Sequence, residues 1–271
     1  MKLLLFPAIF ILLTATSCHK VYDFIHDHPD AHDSLCRVTK ISVINVLDHP
    51  DTFNITYNEK GDPVSMVSTH TTYVGGNLDQ YYRYDRFGRL SDYMLTFMAG
   101  TSAIIWHKYA YPRRNYVIDT VINYPPSGDV RDPSPIAADG SYFYLDTYNL
   151  DPHGRIVKAT YDYNPPYPPV TEVISYDAHG NKVQSDSTLT YDDRINVYRT
   201  NKTWQFLYND YSRNNLVLKY ALAVNLYNAF GLPTRLGNPK NQALYLFHLT
   251  NVDNYIYISY ACSMPTGPIN Y

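Results

Sequence analysis

The fold is decided by the heptapeptide Tyr84-Asp85-Arg86-Phe87-Gly88-Arg89-Leu90, which has four relatives along the chain. The relatives share an Asp or Asn followed three residues later by Gly, and they are Asn58-Glu59-Lys60-Gly61, Asp151-Pro152-His153-Gly154, Asp177-Ala178-His179-Gly180 and Asn228-Ala229-Phe230-Gly231. In a type I turn the first side chain accepts a hydrogen bond from a following backbone N–H, and a closing Gly tolerates positive φ. We therefore expect five hairpin turns in which Gly61, Gly88, Gly154, Gly180 and Gly231 are structural residues.

Alternating apolar residues precede the turns, as in Phe53, Ile55 and Tyr57, and a short apolar segment follows each one. Each unit is typical of a strand, a tight turn and a second strand. The turn glycines are separated by 27 (61 to 88), 66 (88 to 154), 26 (154 to 180) and 51 (180 to 231) residues. A recurring spacing near 26 predicts a repeat array, and the gap of 66 is explained by an insertion in the proline-rich segment from Tyr124 to Gly140.

The composition supports an all-β protein. The chain has 29 Tyr among its 271 residues, and its only glutamates are Glu59 and Glu172. Aromatic residues favour half-buried strands, whereas Asp favours turns over helices. We expect an antiparallel array of β-hairpins that forms a curled or partly closed sheet. One short helix interrupts it at about residues 201–212, where Trp204, Leu207, Tyr208 and Tyr211 recur at helical spacing and Thr200 is the candidate cap.

The repeated units resemble YD repeats, a family defined by Tyr-Asp, two variable residues and Gly, often followed by Arg. The best matches are Tyr84-Asp85-Arg86-Phe87-Gly88-Arg89 and Tyr176-Asp177-Ala178-His179-Gly180, and the resemblance covers roughly residues 53–233. Long members, the Rhs and teneurin proteins, wind such hairpins into a hollow shell, which implies an extracellular location and, for some, carbohydrate contact. This chain is much shorter and is more similar to small bacterial YD-repeat lipoproteins of unknown function.

The N-terminus predicts export and lipid attachment. An apolar run from Leu3 to Leu13 is too short to span a bilayer, which needs about 20 residues, but it fits the core of a signal peptide. Ala15-Thr16-Ser17-Cys18 follows and resembles a lipobox, whose cysteine receives the lipid; an ordinary signal peptide is the alternative. We expect a signal peptide at 1–17, a flexible lipid-anchored tether at 18–34 and a β domain at 35–271. The location is then the bacterial outer membrane, facing the periplasm or the cell surface.

The tether contains His26, His28 and His32. Histidine- and aspartate-rich tracts can bind metals, but this spacing does not enforce tetrahedral closure, so a solvated linker is favoured. No cofactor is expected. Nucleic acid is not an expected partner either, because 22 Lys+Arg are offset by 25 Asp+Glu and Arg113-Arg114 is an isolated pair in the sequence.

Two functions remain open from the sequence. The first is a non-catalytic structural or binding role with a glycan or protein ligand, in addition to membrane attachment through the lipid. The second is hydrolysis of an envelope polysaccharide by paired Asp residues, although no pair can be chosen because Asp is also abundant in turns. No nucleophile elbow, phosphate loop or metalloprotease motif is present.

Two cysteines remain after Cys18. Cys36 begins the first strand signal and Cys262 ends the last, so a disulfide between them would join the two ends of the sheet and remove its exposed edges. The oxidising envelope favours such a bridge, whereas two buried free thiols are the equally weighted alternative.

Overall fold

The computed structural model describes residues 36–45, 50–69, 78–97, 102–123, 143–162, 166–183, 189–218, 226–228, 230–237, 249 and 252–262. The predicted signal peptide and the tether with Cys18 and its histidines lie outside these residues. Strands β1 to β9 are Cys36–Asn45, Pro50–Tyr57, Pro63–Ser68, Asp79–Tyr84, Leu90–Phe97, Ser102–Arg113, Tyr116–Asn123, Phe143–Leu150 and Ile156–Tyr161. Strands β10 to β17 are Val170–Val173, Ser175–Tyr176, Lys182–Val183, Leu189–Ile195, Asn214–Leu218, Leu226–Tyr227, Pro233–Gly237 and Val252–Cys262.

Thirteen of these strands form one antiparallel sheet. Its order is β10-β9-β8-β7-β6-β5-β4-β3-β2-β1-β17-β16-β15. Two separate two-stranded ribbons, β11-β12 and β13-β14, complete the described part of the fold. The predicted all-β class with a partly curled sheet is confirmed, because the sheet curls without closing into a barrel.

The first and last described strands meet in the interior of this sheet. Strand β1 pairs with β17 in a register that places Cys36 opposite Cys262, and a disulfide joins the two residues across a Cα–Cα distance of 4.0 Å. The expectation that this junction removes the exposed edges is wrong. The strands at the edges of the described sheet are β10 and β15, because the meander extends away from β1 on one side and from β17 on the other.

All five repeat turns have the same hydrogen-bond pattern. In turn 85–89 the Asp85 carboxylate accepts the backbone N–H groups of Phe87 and Arg89 at 2.8 and 3.0 Å, and the Asp85 N–H donates to the Arg89 carbonyl at 2.8 Å. The five turn glycines have φ between +75° and +87°, a conformation that L side chains rarely adopt. The turn chemistry is therefore entirely local, and each glycine is required by its backbone.

The repeat turns of the main sheet, together with the β6-β7 turn, lie at one end of it. Every neighbouring strand pair is antiparallel, so connections alternate between the two ends of the sheet and these turns share one of them. This end, the turn rim, comprises turns 58–62, 85–89, 114–115, 151–155 and 228–232. Turn 114–115 lies 27 residues after Gly88 and lacks a glycine, so the gap of 66 contains a divergent unit before the proline-rich segment. The start of β1 and the end of β17 also lie at this rim, since β1 runs opposite to β2.

Tyrosine hydroxyls link successive units along the rim. The first strand residue after each repeat turn offers its carbonyl to a tyrosine from elsewhere in the array. These bonds, the tyrosine clasps, are Tyr84 to Pro63 (2.8 Å), Tyr111 to Leu90 (2.8 Å), Tyr176 to Ile156 (3.4 Å), Tyr191 to Lys182 (2.8 Å) and Tyr260 to Pro233 (2.7 Å). Three of these tyrosines, Tyr84, Tyr111 and Tyr176, precede a turn and supply both packed ring area and a bond to a neighbouring unit.

The concave side of the sheet is filled by a plug, residues 196–211. It contains a 3-10 turn, Val197–Thr200, and helix α1, Lys202–Leu207. Trp204 is fully buried, with its ring 5.4 Å from that of Tyr82, and Phe206 packs edge-on against Tyr109 of β6 and Tyr148 of β8. Burial of these rings holds the plug against several strands at once.

The helix is shorter than predicted, and its cap is different. Asn201, not Thr200, caps it by accepting the Thr203 N–H at 2.8 Å, because the Thr200 hydroxyl instead donates to the Val197 carbonyl. The helix ends before Asn209, whose φ of +46° cannot continue it. Asn201 also donates to the carbonyl of Gly61 at 3.0 Å, so the same side chain binds the plug to the turn rim.

Candidate functional site

The best candidate site is a polar pocket beside the fourth repeat turn. It has a volume of about 560 Å³ and opens to solvent between turn 177–181 and the β13-β14 ribbon. Its lining consists of Asp177, His179, Asn181, Thr190, Tyr191, Asp192, Asp193, Arg213 and Asn214. The tyrosine contributes ring area, and the remaining side chains are polar or charged.

The floor of the pocket is held rigidly by two buried amides. The Asn181 side chain donates to the Asn214 side-chain oxygen at 3.2 Å and accepts the Asn214 backbone N–H at 2.9 Å. The backbone N–H of Arg213 donates to the carbonyl of Gly180 at 3.1 Å. Because turn and ribbon are bonded to each other, the pocket shape is preorganised.

The carboxylates in the pocket have different environments. Asp192 is held by the backbone N–H groups of Arg194 and Asn215 at 2.8 and 3.2 Å and by the Tyr227 hydroxyl, and burial raises its pKa. Asp177 uses Oδ1 for the N–H groups of His179 and Asn181 within its turn, at 2.8 and 2.9 Å. Within the part of the chain that the structure describes, the Asp177 Oδ2 and the His179 ring make no hydrogen bond, so both can face a ligand.

Tyr191 connects the pocket to the repeat architecture. Its hydroxyl makes the clasp to Lys182 and accepts the Ser212 hydroxyl at 3.5 Å, which fixes the ring at the pocket wall. A fixed aromatic ring can contact the apolar face of a sugar. The neighbouring carboxylate, imidazole and amide groups can then form hydrogen bonds with the hydroxyls of the same sugar.

A second carboxylate cluster lies on the concave face of the sheet. Asp119 of β7 and Asp146 of β8 are directly opposite in register. Asp119 accepts from the Tyr148 hydroxyl at 3.3 Å, and one of its oxygens lies 2.9 Å from Nδ1 of His107, while its Oδ1 has no hydrogen-bond partner. Asp119 and Asp146 are only 1% and 8% exposed. This pair is therefore closed to a polymer substrate.

Burial is the main reason that the pKa of Asp146 rises to about 6, and the nearby Asp119 raises it further. The backbone N–H of Asp162, which donates at 3.1 Å, and the nearby His107 act in the opposite direction. The sequence does not reveal this pair, because 27 residues separate its members and both resemble ordinary strand positions.

The structure brings together some residues that looked unrelated in the sequence. Arg113 and Arg114 are not an isolated pair, because the β6-β7 turn adjoins turn 85–89 through the pairing of β5 with β6. His153 and His179 are exposed at turn tips. Among the described residues, no group of three or more His, Cys, Asp or Glu side chains is arranged to hold a metal ion.

No protein-family model matches the chain, and no curated protein matches it. None of the helices in the described ranges is long and apolar enough to cross a membrane.

Proposed function

We propose that this chain is a bacterial outer-membrane lipoprotein of the YD-repeat type, anchored through Cys18, whose β domain binds a glycan without catalysing a reaction on it. The observation that carries the binding role is the polar pocket beside turn 177–181. It is preorganised, open and lined by groups that match the hydroxyl donors and acceptors of a sugar. The lipid anchor is supported by the apolar run that ends in Ala15-Thr16-Ser17-Cys18.

The chemistry of the pocket favours a polyhydroxylated ligand. The Asp177 carboxylate accepts a sugar hydroxyl in a charge-assisted bond, which is stronger than a neutral one. The His179 ring offers a second polar contact on the same turn, and Tyr191 offers a flat apolar surface. An apolar ligand would leave these groups desolvated and unpaired.

A glycan array with a chain starting near residue 34 tests the binding role, since every described element lies within 36–262. Asp177→Asn keeps the turn acceptor but removes the charge, and we expect it to weaken binding about tenfold. Asp151→Asn is the matched control, because Asp151 has the same role in its own turn and does not line the pocket. Equal binding by both variants, or no glycan bound by the parent chain, would contradict the proposal.

A second candidate function is polysaccharide hydrolysis in the same pocket. The observation that favours it is the raised pKa of Asp192 beside the 80%-exposed Asp193 side chain, since carboxylates in unlike environments can divide the roles of acid and base. Release of reducing ends from a glycan found on the array, abolished by Asp192→Asn while binding persists, would establish it. Binding without any turnover supports the non-catalytic role.

The lipid anchor is tested separately by labelling cells with palmitate. The full chain should incorporate the label and fractionate with membranes, whereas Cys18→Ala should not incorporate it. Equal labelling of the two chains would exclude Cys18 as the acceptor.

A further inference from the structure

A basic and aromatic patch lies on the turn rim where two hairpin tips adjoin. It consists of Arg86, Phe87 and Arg89 from turn 85–89 and of Arg113 and Arg114 from the β6-β7 turn. The four arginines are exposed, and the Phe87 side chain is 66% exposed. The guanidinium groups of Arg86 and Arg89 lie 4.7 and 5.1 Å from the centre of the Phe87 ring.

The patch is a single surface rather than two separate tips. The Arg89 guanidinium lies 4.3 Å from the ring centre of Tyr111, which precedes the neighbouring turn. Asp85, which is ion-paired with Arg89 at 2.7 Å, is the one carboxylate within turns 85–89 and 113–116. Four arginines and one aspartate give a local charge of 4 − 1 = +3 in a chain whose net charge is −3.

The chain enters the domain at the same end of the sheet. Cys36 begins β1 at the turn rim, and the Tyr57 hydroxyl, next to turn 58–62, donates to the Val38 carbonyl at 2.6 Å. The patch lies three to six strands from β1, which is about 14–29 Å at the usual strand spacing. The sequence predicts that the 17 residues between Cys18 and Cys36 are a flexible tether, and such a chain has a root-mean-square span of about 23 Å. A lipid on Cys18 therefore leaves the patch within reach of the same membrane.

We propose that the basic patch of the turn rim docks on the anionic phospholipid headgroups of the membrane that carries the lipid anchor. The inference rests on the proposed anchoring through Cys18. Arginine binds phosphate oxygens through two parallel hydrogen bonds, and the exposed Phe87 ring enters the interfacial layer between headgroups and acyl chains. Docking orients the domain with its turns towards the bilayer and the end of the sheet that carries Tyr167 away from it.

Docking on the membrane explains more features of the patch than binding of a soluble polyanion does. A polyanionic glycan would match the arginines, and its sugar faces can pack on the exposed Phe87 ring. It gives no reason, however, for the patch to share an end of the sheet with the entry of the tether.

Tryptophan fluorescence with brominated lipids tests the orientation. The full-length chain carrying Phe87→Trp is purified in detergent and reconstituted into vesicles of phosphatidylcholine, with or without phosphatidylglycerol, in which the acyl chains carry the bromine quencher. Tyr167→Trp is the matched control, because Tyr167 is 68% exposed and lies in the β9-β10 loop at the opposite end of the sheet. The signal of the parent chain, which contains the buried Trp106 and Trp204, is subtracted from both.

We expect quenching of Phe87→Trp in vesicles that contain phosphatidylglycerol and little quenching of Tyr167→Trp. Arg86→Gln and Arg114→Gln, each added to Phe87→Trp, should lower the ratio of docked to undocked protein about fivefold, as should added salt. Lys158→Gln is the control for charge, because Lys158 is exposed on a strand rather than at the rim.

Equal quenching at the two tryptophans, or quenching that is insensitive to the arginines, would overturn the docking proposal. So would a response of Phe87→Trp to soluble polyphosphate with none to the vesicles, which would identify a polyanion site instead. The intact mass of each preparation reports the lipid on Cys18 independently. A chain without lipid refutes the anchor, while the quenching pattern still decides whether the rim faces the bilayer.

Discussion

Asp146→Asn removes a carboxylate that the fold buries on the concave face of the sheet. The Asp146 side chain is 8% exposed and faces Asp119, so its charged form is destabilised by burial and by a neighbouring carboxylate. Its pKa is about 6 in the folded chain, against a reference value of 3.8. Between these values the folded state binds more protons than the unfolded state, so the free energy of unfolding falls as the pH rises from about 4 to about 6.

The size of this effect follows from the shift. A difference of about 2 pKa units corresponds to about 3 kcal/mol, which is an upper value because neighbouring groups relax. The asparagine cannot ionise, and its side-chain oxygen keeps the bond from the Asp162 N–H. Its amide N–H group can also donate to the unpartnered Oδ1 of Asp119. We therefore expect Asp146→Asn to stabilise the fold by about 1–3 kcal/mol at pH 7.5 and by little at pH 4.

Urea denaturation of the oxidised chain at pH 4 and pH 7.5 measures this difference between parent and variant. Asp193→Asn is the control, because the Asp193 side chain is 80% exposed and should not change the pH dependence. A loss of stability on Asp146→Asn at pH 7.5, or a gain of the same size at both pH values, would refute the reasoning. A loss at pH 7.5 would mean that the native site stabilises the ionised carboxylate, whereas an equal gain at both pH values would mean that the gain does not come from removing the charge.

Three further changes test the architecture. Tyr84→Phe removes a hydroxyl that lies 2.8 Å from the Pro63 carbonyl and 3.1 Å from Thr203 Oγ1, and it should lower the free energy of unfolding by about 1–2 kcal/mol, whereas Tyr167→Phe at an exposed site should not. Gly154→Ala should lower the midpoint of thermal unfolding at a cost of about 1 kcal/mol through its φ of +80° alone, because an added Cβ meets nothing within 4 Å. Gly154→Asn should lose less stability than Gly154→Ala, because Asn tolerates positive φ. Equal losses of stability in the two variants would point to a cause other than φ. Reduction of the Cys36–Cys262 disulfide, which closes 226 residues of sequence separation, should lower the free energy of unfolding by up to about 5 kcal/mol in the chain-entropy limit and so lower the urea midpoint. An unchanged midpoint would show that strand pairing alone constrains the two strands.

The candidate site was only partly visible in the sequence. Asp177 and His179 are recognisable in the sequence as turn residues. Their position opposite Tyr191 and Asp192 depends on how the β13-β14 ribbon contacts the fourth turn. A short-range pattern carries no information about which distant segment packs beside it.

The sequence by itself determined the local units. Asp or Asn followed three residues later by Gly specifies its turn because the bonds between its side chain and the turn backbone lie within five residues. The alternation of apolar residues specifies the strands beside it. These interactions involve no tertiary contact, which is why the all-β class could be predicted.

Only the tertiary structure decided how the units are arranged. Four features depend on strand order and register. They are the pairing of β1 with β17, the carbonyl that each tyrosine clasp uses, the opposition of Asp119 and Asp146, and the position of Arg86 and Arg114 in one patch. Register follows from burying one face of many strands around the plug at once, and no segment of sequence contains that constraint alone.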